Sequence, residues 1–123
     1  KASDTIPTLL PGTSFFSNMP YGKGRAMIDA GLAVAMASDY NPGSTPSGDM
    51  RFVMSLACMK MRLLPEEALN AVTINGAAAM CQSSTHRSIR RGERPGIIMT
   101  KPVPSLAFVP YAYTTPWIAR TFF

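Results

Sequence analysis

Apolar residues fall along this chain in distinct rhythms, and each rhythm predicts a different element. The run Gly31-Leu-Ala-Val-Ala-Met-Ala37 has neither a helical stripe nor an alternation, which is the pattern of a strand covered on both faces, as in a parallel sheet. Ile6 to Leu10 reads as a shorter apolar strand that stops at Pro11-Gly12, and Thr13 to Tyr21 mixes aromatic, polar and proline positions as a loop does. Between these strands, Gly24 to about Ala30 is predicted to form a short helix, with Gly31 as its left-handed C-terminal cap. Strand, loop, helix, strand is a βαβ unit, whose crossover is right-handed and whose strands are parallel in nearly every known case.

Helical spacing takes over further on. Asp49 is predicted to cap a helix from Met50 to about Met61, in which Met50, Met54, Ala57 and Met61 form one stripe and Phe52, Leu56 and Met59 another. Apolar nearly all round, that helix is expected to be buried. The next starts at Pro65, where a fixed φ suits the first helical position and Glu66 and Glu67 complement the positive end of the helix dipole. Leu69, Val72, Gly76 and Met80 continue it at near-helical spacing. Leu64 stands at its N-cap without a side-chain acceptor, forgoing about 1 kcal/mol relative to Ser, Thr or Asp. After Cys81 a polar stretch marks a boundary, followed by a turn and a short β element at Ile97-Ile98-Met99. The remainder is proline-rich and aromatic, with Phe108, Tyr111, Tyr113 and Trp117.

With 123 residues, 46% hydrophobic and 15% charged, the chain has the length and composition of one globular domain with a core. No apolar run approaches the roughly 20 residues needed to span a bilayer, so a soluble, intracellular protein is the expectation. Lys1 to Asp4 carries no apolar signal core and reads as the middle of something longer. Cys58 and Cys81 lack CxxC spacing and are too few for a disulfide scaffold, which predicts reduced, packed thiols. The formal charge of +5 comes largely from Arg87, Arg90, Arg91, Arg94 and Lys101. No aromatic is interleaved with these cations, which favours a solvated turn, or a surface facing an acidic segment, over nucleic-acid binding.

Candidate chemistry concentrates in Ala37-Ser-Asp39-Tyr-Asn41-Pro-Gly43-Ser44-Thr-Pro46. This run sets a carboxylate at the carboxyl end of a buried strand, where α/β proteins gather their ligands. A carboxylate there binds a divalent metal, serves as a general base, pairs with an arginine, or merely caps a turn. Asn41-Pro42-Gly43 is itself a turn signal. The same turn brings backbone N–H groups and an amide beside the carboxylate, which suits a small anionic or amide ligand.

Five segments in order carry a resemblance to a known family: Thr8-Leu-Leu-Pro-Gly12, Ala26-Met-Ile-Asp-Ala-Gly-Leu32, the Ala37 to Pro46 run, Ser55-Leu-Ala-Cys58, and Pro65-Glu-Glu-Ala-Leu-Asn-Ala-Val-Thr-Ile-Asn-Gly-Ala77. Together they resemble the C-terminal third of the imidazolonepropionases, metal-dependent amidohydrolases of histidine degradation. The likeness is dense from Thr5 to Thr85 and thinner to Tyr113. It implies an α/β fold, the end of a (β/α)8 TIM barrel: the last two strands and their helices in residues 1–85, and a partial, divergent return to a small β-sandwich in residues 86–123. The implied reaction is hydrolysis of the cyclic amide 4-imidazolone-5-propanoate to N-formimidoyl-L-glutamate with one zinc or iron ion. Asp39 matches the metal-ligand and proton-shuttle aspartate, and Asn41, Gly43 and Ser44 match positions that hold substrate or product; Tyr40 is expected to point away.

The chain also departs from that family. The His-x-His pair and the middle-strand histidine are not in it, and its one histidine, His86, falls in a polar turn and reads as exposed or capping. Arg87 replaces a residue free to take positive φ, and Pro95 removes a donor where a sandwich strand is expected to begin. The expectation is therefore a C-terminal fragment of a cytoplasmic enzyme, inactive alone. Its implied partner is a small-molecule substrate, with no nucleic acid and no membrane, and with room for a homodimer of the intact enzyme. Two other readings stay open: a different cyclic-amide amidohydrolase, and a non-catalytic basic interaction remnant.

Overall fold

Two parallel strands form the centre of the first part of the chain. In the computed structural model, which describes residues 4–82, 89–93 and 95–123, β1 (Thr8–Leu9) pairs with β2 (Ala35–Met36), Thr8 opposite Ala35 and Leu9 opposite Met36. The Ala35 and Ala37 N–H groups extend the ladder to the Pro7 and Leu9 carbonyls at 2.9 and 3.2 Å. This is the parallel βαβ order expected from the sequence. The expectations for Thr85, His86, Arg87 and Arg94 lie outside the described residues.

The second strand is shorter than its apolar run. Helix α2 (Gly24–Asp29) ends with Gly31 at φ 74°, and the Leu32 N–H closes the cap on the Met27 carbonyl at 3.1 Å. The start of the run thus belongs to a Schellman cap, and only Val34, Ala35 and Met36 are buried. A second correction concerns Thr13 to Tyr21, which is not all loop. Helix α1 (Pro11–Phe16) begins with Pro11 at its first position, where the missing N–H has no intrahelical acceptor to lose. Packing steadies its weak helix formers: Phe15 meets Phe52 edge-on, ring centroids 5.2 Å apart.

Helix α3 (Met50–Met61) starts where expected, with Asp49 accepting the Arg51 N–H at 2.9 Å. It buries Val53, Met54, Ser55, Leu56, Ala57 and Met61, while Met59 is exposed. The single long helix predicted from Pro65 is two, α4 (Pro65–Val72) and α5 (Ile74–Ala79). Thr73 breaks it: its hydroxyl donates to the Leu69 carbonyl at 2.6 Å, a back-bond that competes with the helix, and its backbone leaves helical geometry at φ −120°, ψ −93°. Asn75 then fastens α5 to the sheet by donating to the Val34 carbonyl at 2.8 Å.

The poor N-cap at Leu64 is compensated from inside α4. Glu67 accepts the Leu64 N–H at 2.7 Å and takes a two-pronged contact from Arg25 at 2.7 and 3.0 Å, while Arg25 also bonds Asp29 at 2.8 Å. Hydrogen bonds from Arg25, joined by the Leu64 N–H, hold the Glu67 carboxyl below its ordinary pKa. Of the two cysteines, Cys58 is half-buried as predicted, and burial, then the nearby Glu66 and Glu67, push its thiol up. Cys81 corrects the other half of that expectation: it is exposed, in a left-handed turn (φ 57°) past the end of α5.

Beyond the boundary, β3 (Ile97–Thr100) and β4 (Ile118–Phe122) form an antiparallel ribbon flanking α6 (Phe108–Tyr111). Pro95 precedes the strand, so its missing N–H removes no bond from this ladder. The tail is tied to α3 by the Phe52–Tyr113 ring contact and by the Ser55 hydroxyl, which donates to the Pro110 carbonyl. An open groove of about 940 Å³ lies beside β2, lined by Met36, Leu69, Val72, Met80 and Ile97 among others. Leu69, Val72, Gly76 and Met80, the residues at near-helical spacing, all line this groove. Among the described residues no helix is long and apolar enough to cross a membrane.

Candidate functional site

Both parallel strands deliver side chains to one point. β1 runs into α1, which presents Thr13, and β2 runs into the loop carrying Asp39 to Thr45. The Thr13 hydroxyl donates to Asp39 Oδ2 at 2.7 Å, and the Ser44 hydroxyl reaches the same oxygen at 3.4 Å. Both of these bonds fall on Oδ2, so Oδ1 is the oxygen open to a ligand. Asp39 itself sits at φ 54°, a left-handed conformation that costs a non-glycine residue about 1–2 kcal/mol. The Asn41 side-chain amide donates to the Asp39 carbonyl and helps to hold it there.

Asn41 organises the rest of the loop. Its Oδ1 accepts the Gly43 and Ser44 N–H groups at 2.9 and 2.8 Å, and its Nδ2 also donates to Ser44 Oγ at 2.9 Å. Backbone bonds between Asn41 and Thr45 in both directions, at 3.0 and 3.3 Å, close the turn. The N–H groups that the sequence offered to a ligand are therefore taken by the loop's own amide. The Ser44 hydroxyl is engaged in the same way, accepting from Asn41 Nδ2 and lying 3.2 Å from Asn41 Oδ1, which leaves Asp39 Oδ1 as the loop's carboxylate oxygen without such a bond among the described residues. Tyr40 points outward, as expected, at 71% exposure.

The structure brings Asp39, Asn41, Gly43 and Ser44 together as the sequence predicts, and adds two residues that it did not single out. Thr13 lay in a supposed loop. Thr45, 4% exposed, contacts the Thr13 hydroxyl at 2.9 Å. The available signal was Gly12, whose missing side chain lets α1 approach: a Cβ there would stand 3.0 Å from Thr45 Cγ2. Close by, Asp49 is clamped by Arg51 at 2.6 to 3.2 Å, and that contact, with the Arg51 N–H, lowers the Asp49 carboxyl pKa. Asp49 is thus committed to its helix cap.

Among the described residues no group of three His, Cys, Asp or Glu side chains could hold a metal ion. Such sites take at least three protein ligands, so Asp39 and its described neighbours do not make a complete one. No protein-family model matches the chain. Several curated proteins do. It is 53% identical over 113 residues to an imidazolonepropionase of Flavobacterium johnsoniae, 52% over 115 residues to one of Christiangramia forsetii, and 51% over 122 residues to one of Flavobacterium psychrophilum. These matches cover 92%, 94% and 99% of the chain but only 28%, 28% and 30% of the respective relatives. The chain is a homologue of imidazolonepropionases over nearly all of its own length and spans less than a third of theirs.

Proposed function

We propose that this chain is the C-terminal portion of an imidazolonepropionase, and that the whole protein hydrolyses the cyclic amide 4-imidazolone-5-propanoate to N-formimidoyl-L-glutamate in the cytoplasm. The observation that carries this reading is identity above one half across 92–99% of the chain. The parallel β1–β2 pair with its flanking helices supports a (β/α)8 barrel whose last two strands these are. The β3–β4 ribbon supports a small β-sandwich beside it. Exposed Ile74 and Met80, at the start of α5 and just past its end, agree with a larger body packing there.

The chemistry follows from the strand-end loop. Asp39 would supply one carboxylate oxygen to a zinc or iron ion. When bound, the metal makes water a nucleophile at neutral pH and polarises the amide carbonyl. With Oδ1 given to that ion, the Oδ2 lone pair not used by Thr13 would take a proton from the attacking water and return it to the departing ring nitrogen. Ser44 presents its hydroxyl to the substrate or product at the Gly43 turn, and Asn41 meets the same ligand by exchanging its bond to Ser44. In the intact protein, Asp39→Asn should lower turnover of imidazolone propionate by at least about a hundredfold, followed by loss of substrate absorbance, without lowering the melting temperature. Wild-type turnover in that variant would refute the role of Asp39.

A further inference from the structure

We propose that Thr13 is a positioning residue for the Asp39 carboxylate, and that Thr45 anchors it, so that the three side chains form one directed relay of hydrogen bonds. The inference rests on the reading of Asp39 as the reacting carboxylate. A threonine hydroxyl carries a single proton, and that of Thr13 is spent on Asp39 Oδ2 at 2.7 Å. The 2.9 Å contact between the Thr13 and Thr45 hydroxyls must then have Thr45 as its donor. Donation runs Thr45 to Thr13 to Asp39, and each bond polarises the next toward the carboxylate.

The rest of the structure fixes the two ends of the relay. Thr45 is buried, and its backbone is bonded to Asn41 in both directions, which fixes the point from which its side chain reaches Thr13. Thr13 is delivered from the other strand by α1, whose approach depends on Gly12 having no side chain against Thr45 Cγ2. The relay therefore ties the end of β1 to the end of β2 through the functional group itself. Its consequence is orientation: with Oδ2 held by Thr13 at 2.7 Å, Oδ1 is left to face the ligand. A carboxylate free to rotate would spend part of its time presenting neither oxygen correctly.

The test uses the intact protein with Asp39→Asn, Thr13→Val, Thr13→Ser and Thr45→Val, and reads kcat, KM, melting temperature and metal retention against a chelator. Thr13→Val keeps the shape and removes the donor. It should lower kcat roughly ten- to a hundredfold, the scale of one hydrogen bond to a charged group, with KM within about twofold. It should also release metal at roughly tenfold lower chelator concentration, while Thr13→Ser recovers both readouts to within about threefold. Thr45→Val should lose about three- to tenfold in kcat, and it carries the test alone if Thr13→Val does not fold. Wild-type kcat and metal retention in the folded threonine variants, with Asp39→Asn inactive, would overturn the relay and leave the role of Asp39 standing. Full activity of Asp39→Asn would overturn both.

Discussion

Ser55 offers a measurement of how firmly the tail is joined to the rest. It is fully buried on α3, and its hydroxyl donates to the Pro110 carbonyl and lies 3.0 Å from the Arg51 carbonyl. The Arg51 carbonyl is also the regular helical acceptor for Ser55, but Pro110 is buried and gains its hydrogen bond from Ser55. Ser55→Ala would leave that carbonyl without water or donor, at a cost of about 1–3 kcal/mol. Alanine returns roughly 0.5 kcal/mol through better helix propensity. The expected net loss is about 0.5–2.5 kcal/mol, read as a lower urea midpoint with an unchanged slope. Hydrogen exchange should localise it, because the Ala112 N–H, bonded to the Phe108 carbonyl at 2.8 Å, becomes less protected as α6 loosens. A variant as stable as the wild type, with the Ala112 amide equally protected, would refute the claim that this bond clamps the tail to α3.

Stability should fall in acid in a manner set by Glu67 and Asp49. Their carboxyl pKa values are depressed in the folded state, chiefly by Arg25 and Arg51 respectively, so what they contribute is present above the unfolded pKa near 4 and is lost as pH drops through the lower folded values. Urea titrations below about pH 5 should therefore show a steeper pH dependence for wild type than for a Glu67→Gln, Asp49→Asn double variant; equal slopes would contradict the depressed values. Thiol labelling separates the cysteines: exposed Cys81 should react well before half-buried Cys58, whose thiol is pushed up, and equal rates at pH 8 would contradict the packing around α3.

Much of this arrangement is legible in the sequence because local signals agree. Gly31 closes α2 with a positive φ, Asp49 caps α3, and Pro65 with two glutamates starts α4, each a short-range rule that tertiary packing does not override. The misreadings arise where long-range contacts decide. Helix α1 consists of weak helix formers stabilised by Phe52, nearly forty positions away. The predicted long helix is interrupted because the Thr73 hydroxyl competes for a backbone carbonyl, a conflict that hydrophobic periodicity does not register. For the site, strand-end position and turn chemistry pointed to Asp39, Asn41, Gly43 and Ser44. Thr13 and Thr45 were hidden because a threonine's value lies in its neighbour across the fold, and a sequence does not display neighbours.

On the proposed reading, the open groove and the lone strand-end aspartate have one physical origin. A parallel sheet of two strands has a flank on each side, and sheets of this kind occur almost always with both faces covered. Here an apolar groove lined by Thr8, by Ala35 and Met36, by α4 and α5 and by Ile97 and Ile98 lies open, and Asp39 follows β2. On the proposed barrel reading, a further strand paired with β2 would cover part of the groove and bring its own carboxyl end toward Asp39. The apolar surface and the aspartate would then be served by the same neighbouring body. Folding and metal binding should be coupled through it, because seating that body buries the groove and brings donors toward Asp39 in one step.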